Sequence, residues 1–432
     1  MELVRVEQLR DLSPERRAAI MSRSMEEIAD IFDGVRAICE DIRRRGDAVT
    51  LEHYRKLKDD ITAADLKVTP EETATAYEAV GQEVVAELRF AAENIRKFHR
   101  AQLERDMWMT EVAPGIVAGR MTRPLDSAGC YIPGRQAAYP SSVLMTILPA
   151  QVAGVERIIA CTPPDTGMVA CAASLVAADI ADCRDVYKIG GPWAVASMAH
   201  GTATVPRVSK IVGPGNKYVT AAKMAVFGIV GIDSPAGPSE VLILADDTAN
   251  PAWLAMDFLS QVEHDQDAAA VLVTPGGTLA AAVAEEVNQR AASLPRREIF
   301  TPALQNNSAI LVADTMEQAI EFTNDYAAEH LEIVTADPLT LLPRIRHAGS
   351  IFLGPYAPVP VGDYASGTNH VLPTGQCAKM FSGLSTDDFL KKPTFQLLSQ
   401  EGLQHVSRAV LTLAKAEGLP LHAETVRMRL QG

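Results

Sequence analysis

The segment Glu156–Gly191, ERIIACTPPDTGMVACAASLVAADIADCRDVYKIGG, decides how the chain folds. It reads as strand, helix, strand. A short apolar run ends at Pro163–Pro164, an apolar helical pattern follows, and a second short run ends in two glycines. Two buried strands joined by a helix of this length make a right-handed crossover, so they lie parallel in one sheet. The pattern extends both ways. Before it stand a strand AGCYIPG (128–134) and a helix SSVLMTILPAQVAG (141–154); after it come a helix PWAVASMAHG, a strand VSKIVGPG and a helix NKYVTAAKMAVFG. It then restarts with SEVLILADD, a helix ending in QVEH, AAAVLVTPG, a helix over 278–292, SAILVAD, a helix over 316–330, LEIVTAD and GSIFLG. The expected fold is α/β: two tandem, incomplete Rossmann-like layers with parallel sheets.

Around these layers the texture differs. Residues 1–110 read as a helical N-terminal segment, a lid or dimerisation element, with helices over 25–45, 71–77 and 80 to about 105. The first α/β domain, the cofactor side, spans 111–237, and the second, with the metal and acid–base site, spans 238–380. Residues 381–432 form a C-terminal helical tail, expected to be exchanged between subunits of a dimer. The stretch APVPVGDYASGTNHVLPTGQ (357–376) is rich in Gly and Pro and reads as a long functional loop.

Composition narrows the partners. A net charge of −14 argues against nucleic acid and against an acidic membrane surface. Six cysteines without a CxxC pair point to a reducing, cytoplasmic setting. The N-terminus has no apolar signal core, and no run reaches membrane-spanning length. Cys130 lies in an apolar strand pattern with no histidine nearby, so it reads as packing and not as a nucleophile.

The residues that can do chemistry are scattered. On a helix, Gln261 and His264 of QVEH share a face, and an amide oxygen with an imidazole can hold one edge of a divalent metal. A polar helix end capped by Asp265 accounts for them equally well. Glu329 and His330, adjacent before a strand, suit proton transfer near neutral pH. Asp363 sits in the long loop and His422 in the tail. With Gln261 and His264 they would make an N/O set for zinc, or for manganese. Two glycine turns, YKIGGPW (187–193) and IVGPGN (211–216), end strands and open helices. Such turns let backbone approach a pyrophosphate, and they also serve as plain crossovers.

Together AGCYIPG, PSSVLMTILPAQVAGV, GPGNKYVTAAK, IDSPAGPSEVLILAD, SQVEH, NDYAAEHLEI, GDYASGTNHVLPTG and EGLPLHAETVRMRL resemble the histidinol dehydrogenase family from about Arg123 onward, and more weakly before it. The resemblance implies a zinc-dependent homodimer that oxidises L-histidinol to L-histidine in two NAD-linked steps. It implies Gln261, His264, Asp363 and His422 as metal ligands and Glu329 and His330 as the acid–base pair. Ser239, His370 and Glu417 would contact substrate beside the metal ligands and His330; Tyr131, Trp193 and Asn216 would contact the cofactor. Two positions depart from the family pattern. Arg135 replaces a glycine and Trp193 a glutamine, and the second bears on how NAD sits. The rival expectation is a relative oxidising another amino alcohol or a polyol such as 2,3-dihydroxypropanesulfonate, or else a scaffold that keeps the fold without catalysis. A zinc hydrolase is a third option, lacking an HExxH signature and leaving the glycine turns unexplained.

Overall fold

The computed structural model describes residues 3–23, 28–134, 138–235 and 237–431, so Arg135 lies outside the described residues. Two all-parallel sheets form the centre of the molecule. The first runs Asp185–Tyr187, Arg157–Cys161, Ser127–Tyr131, Lys210–Val212, Gly231–Ile232. The second runs Val6–Gln8, Ala309–Val312, Ala269–Thr274, Glu240–Ala245, His330–Val334, Ser350–Leu353. The central strands Ser127–Tyr131, Glu240–Ala245, Ala269–Thr274 and His330–Val334 are buried at every position. Helices cover both faces, which is why these strands read as continuous apolar runs.

In each sheet the chain steps outward over three strands and then returns to the other side of the first. That creates a switch point beside Ser127–Tyr131 in one layer and beside Glu240–Ala245 in the other. Crevices at the carboxyl ends of strands at such a point receive ligands. The fold is the α/β arrangement that the alternation predicts.

The flanking segments differ from their expected form. The helices Ala29–Arg45 and Gln82–Ala101 are not a separate lid. They form an outer layer of the first domain, with Ile42 and Ile95 packed in its two cores. The Val6–Gln8 strand closes the far edge of the second sheet. Residues 381–432 are not wholly helical. Thr394–Leu398 pairs antiparallel with Ile116–Met121, which pairs with Met107–Ala113, before a helical hairpin of Gln400–Ala416 and Pro420–Gln431. Among the described residues, no helix is long and apolar enough to cross a membrane.

Candidate active site

Glu329 and His330 sit where a helix turns into a strand. The helix Met316–Tyr326 stops four residues short of His330, because Ala327 adopts a left-handed conformation (φ 52°) that ends it. Glu329 and His330 then enter the amino-terminal edge of the second sheet. Gly349 is needed beside them, since a Cβ there would meet the Glu329 carbonyl oxygen at 2.6 Å. Both side chains are buried. The Glu329 carboxylate accepts from the Glu240 amide (2.8 Å), and the Glu240 carboxylate accepts from the Glu329 amide (3.1 Å), a reciprocal clasp across two neighbouring strands.

His330 Nδ1 lies 3.0 Å from the Glu240 carbonyl oxygen and 3.4 Å from a Glu329 carboxylate oxygen. A carbonyl only accepts, so Nδ1 carries a hydrogen, and in the neutral ring Nε2 carries the lone pair. That Nε2 is buried without a hydrogen-bond partner, 3.7 Å from Asp363 Oδ1. Burial opposes charging the ring, yet Glu329 and Asp363 together hold its pKa well above the ordinary histidine value. Burial likewise pushes the Asp363 carboxyl upward, but His330, His370 and His264 outweigh it and leave its pKa lowered.

Asp363 lies on a short helix, Val359–Tyr364, rather than in an extended loop. Its carbonyl accepts from His370 Nδ1 (3.0 Å), and His370 Nε2 accepts from the Ser142 hydroxyl (3.0 Å). Ser142 opens the helix that follows the carboxyl end of Ser127–Tyr131. The carboxyl edge of the first sheet thus meets the amino edge of the second, and the site lies between them.

The helix Pro251–Val262 brings Gln261 and places His264 just past its end, where the His264 amide still reaches the Gln261 carbonyl (3.4 Å). Asp265 turns the chain by accepting from the Asp267 amide (3.0 Å) and does not cap the helix. Gln261 is buried with its amide nitrogen unpartnered, and His264 is exposed within electrostatic reach of Asp363. An amide oxygen, an imidazole and a carboxylate are the donor types of a divalent N/O site, Gln261 serving through its oxygen and not its unpartnered nitrogen. The fourth expected ligand is not there. His422 and Glu417 are exposed on the terminal hairpin. Among the described residues, no three His, Cys, Asp or Glu side chains of the chain are grouped to hold a metal.

On the first layer, Tyr131 ends the central strand and its hydroxyl accepts from the Gly191 amide (3.1 Å), while the Tyr54 hydroxyl accepts from Gly190 (2.7 Å). Those two turn amides are therefore engaged by tyrosines and are not a phosphate cradle. Trp193 stacks on His53 at 3.5 Å. Gly213 approaches so closely that a Cβ would sit 2.1 Å from the Tyr131 carbonyl oxygen, at a φ of 123° that favours glycine. Its amide donates to Asp233 (2.7 Å) and its carbonyl accepts from buried Lys223 (3.1 Å), which pairs with Asp233. Asn216 caps the next helix by accepting from the Tyr218 and Val219 amides. Tyr131 thus ends one, and Asn216 follows the other, of the two strands that flank the switch point of the first sheet, and Trp193 opens the helix after its edge strand Asp185–Tyr187. Ser239 lies half-buried beside Glu240 in a small cavity that Arg23 and Thr374 also line.

Two buried acids went unnoticed in the sequence reading, although charges inside the runs SEVLIL and LEIV are an available signal. One is Glu240; the other is Glu332, on the same strand face as His330. Glu332 Oε1 accepts from the Val359 amide (2.9 Å) and Oε2 has no partner. Asp257, one helical turn before Gln261, lines the same cleft as Glu332. Burial, reinforced by Asp257, pushes Glu332 up to about 8, and burial pushes Asp257 up to about 6. A carboxyl raised in the folded state binds its proton there and loses it when unfolded. Its stabilisation is therefore full below the ordinary value of 4.5 and is lost as pH rises through about 8. Glu332→Gln keeps the bond to Val359 and removes that loss, so the variant gains on the order of 5 kcal/mol over the parent at pH 9 and nothing at pH 4. Denaturant unfolding at both values tests this, and equal differences at the two would refute it.

The family model described as histidinol dehydrogenase matches residues 21–430. The chain is 49% identical over 429 residues to histidinol dehydrogenase of Methanosarcina mazei, covering 99% of this chain and 98% of that one. It is 46% identical over 426 residues to that of Methanocaldococcus jannaschii, covering 99% of each. The crystal structure of histidinol dehydrogenase from Elizabethkingia anophelis superposes with a TM-score of 0.94 at 37% identity, over 100% of this chain and 99% of that one.

Proposed function

The chain belongs to the histidinol dehydrogenase family, and on that premise we propose how its parts divide the work. The reaction is the NAD-linked oxidation of L-histidinol to L-histidine through the aldehyde. His330 is the base: Nδ1 is tied to the Glu240 carbonyl, and Nε2 is left to take the hydroxyl proton. Glu329 keeps one oxygen on the Glu240 amide and offers the other to the water that hydrates the aldehyde. His330 then serves again for the hydrate, so no cysteine nucleophile is needed. The unpartnered Nε2 beside Asp363 is the observation that carries this reading.

Gln261, His264 and Asp363 hold a divalent cation, zinc or alternatively manganese, with His422 arriving from a second copy of the chain. Bound there, the cation fixes the substrate's imidazole and amine and leaves the reacting carbon to the side chains. Ser239, His370 and Glu417 complete the substrate contacts, Glu417 facing a cationic group. NAD lies over the first layer against Tyr131, Trp193 and Asn216. The homodimer is supported by the terminal hairpin, which carries both tail residues and leaves Leu421 77% and Met428 66% exposed. A cytoplasmic setting is supported by six unpaired cysteines.

Stoichiometry tests the reading. Purified protein with L-histidinol and NAD should yield two NADH per histidinol consumed. One NADH, or turnover confined to dihydroxypropanesulfonate, would overturn it.

A further inference from the structure

Arg23 reaches the site from the far end of the chain. It follows the helix Pro14–Ser22 in a left-handed backbone conformation (φ 54°, ψ −155°) that an arginine seldom adopts. Its side chain is only 4% exposed and lies over the Tyr326 ring, 3.7 Å from the centroid. One guanidinium nitrogen donates to the Tyr326 carbonyl (2.5 Å), the last residue of the helix before the turn that delivers Glu329. The Nε atom lies 2.5 Å from Glu240 Oε2, its hydrogen directed off the line, so this contact is an ion pair rather than an in-line bond. Glu240, also 2% exposed, is the residue whose amide holds the Glu329 carboxylate and whose carbonyl holds His330 Nδ1. One buried cation therefore ties the helix end that leads into Glu329 and His330, at Tyr326, to the neighbouring strand that holds them, at Glu240.

We infer that Arg23 and Glu240 are positioning residues that set the angle and tautomer of His330 and the place of the Glu329 carboxylate. The inference rests on His330 being the base. Neither side chain is assigned proton transfer or metal binding: the Arg23 guanidinium stacks on Tyr326 and pairs with Glu240. What they control is whether Nε2 meets the hydroxyl proton in line, and misplacement of that size lowers turnover without weakening substrate contacts made elsewhere.

The test uses the full-length, metal-loaded protein. Arg23→Met should lower kcat by roughly 10- to 100-fold with KM for histidinol within about twofold. The isotope effect on carbinol-deuterated histidinol should rise as proton and hydride transfer become limiting. Arg23→Lys, which keeps the charge without the fork, should recover part of the loss. Glu240→Gln, which keeps the main-chain contacts and the shape, should match Arg23→Met, and the double variant should be no worse than either, because the two act as one unit. Should Arg23→Met fail to fold, Glu240→Gln and Arg23→Lys decide the matter. Parental kcat and isotope effect in Glu240→Gln, or losses that simply multiply in the double variant, overturn the inference. A loss of metal content and unfolding midpoint with an unchanged isotope effect would make the pair merely structural and overturn it as well. An active His330→Asn variant would instead remove the base assignment from which the inference starts.

Discussion

His330→Asn should lose NADH formation by about 10²- to 10⁴-fold at saturating histidinol and NAD, the span that a positioned general base contributes. The substitution is chosen for what it leaves in place. The Asn amide nitrogen stands where Nδ1 stood and can still donate to the Glu240 carbonyl, so the strand edge keeps its bond. What disappears is the lone pair at Nε2, the only ring atom turned toward Asp363. KM for histidinol, metal content and unfolding midpoint should stay near those of the parent. The pH profile adds a second handle. In the parent, kcat should fall on the acid side as the ring takes up a proton. In the variant the residual rate should lose that limb. Turnover within tenfold of the parent, or an unaltered acid limb, would place the base elsewhere.

Much of this site was legible in the sequence because it depends on local adjacency. The strand–helix alternation exposed both layers, and the adjacency of Glu329 and His330 was readable, although the predicted helix overran the turn at Ala327. What escaped depends on contacts between distant segments. Val6–Gln8 is three residues long, too short to show a period, and becomes a strand only because Ala309–Val312 offers an edge. The Met107–Ala113 and Ile116–Met121 pair leaves much of its surface exposed, so it has no core face to pattern. Glu240 looks like a fault in an apolar strand until Arg23, over two hundred residues away, is seen to neutralise it. The glycine turn at Gly190–Gly191 suggested a phosphate cradle, and only the structure shows Tyr54 and Tyr131 on its amides. His422 could be matched by motif but not placed by pattern, and in the folded chain it stands exposed on the terminal hairpin.

A site shared between two chains should show itself by complementation, which a single-chain site cannot produce. His422→Ala and His330→Asn should each be nearly inactive alone, the first through loss of metal and the second through loss of the base. Co-expressed with different tags and purified as mixed dimers, they should regain activity. In a mixed dimer, the body of the His422→Ala chain still has His330, Gln261, His264 and Asp363, and it receives an intact tail from the His330→Asn chain. The opposite site carries both defects. Purification by both tags leaves only mixed dimers, each with one of its two sites repaired, so about half of parental specific activity should return. If each tail served its own body, every site in the mixture would lack one function, and activity would stay at the level of the separate variants. The exposed Leu413, Leu421 and Met428 on the hairpin are the surface that such an exchange would cover. Restored turnover with one metal per repaired site would show that each active centre is assembled from two chains; its absence would leave Asp363, His264 and Gln261 without their fourth ligand and remove the shared-site reading.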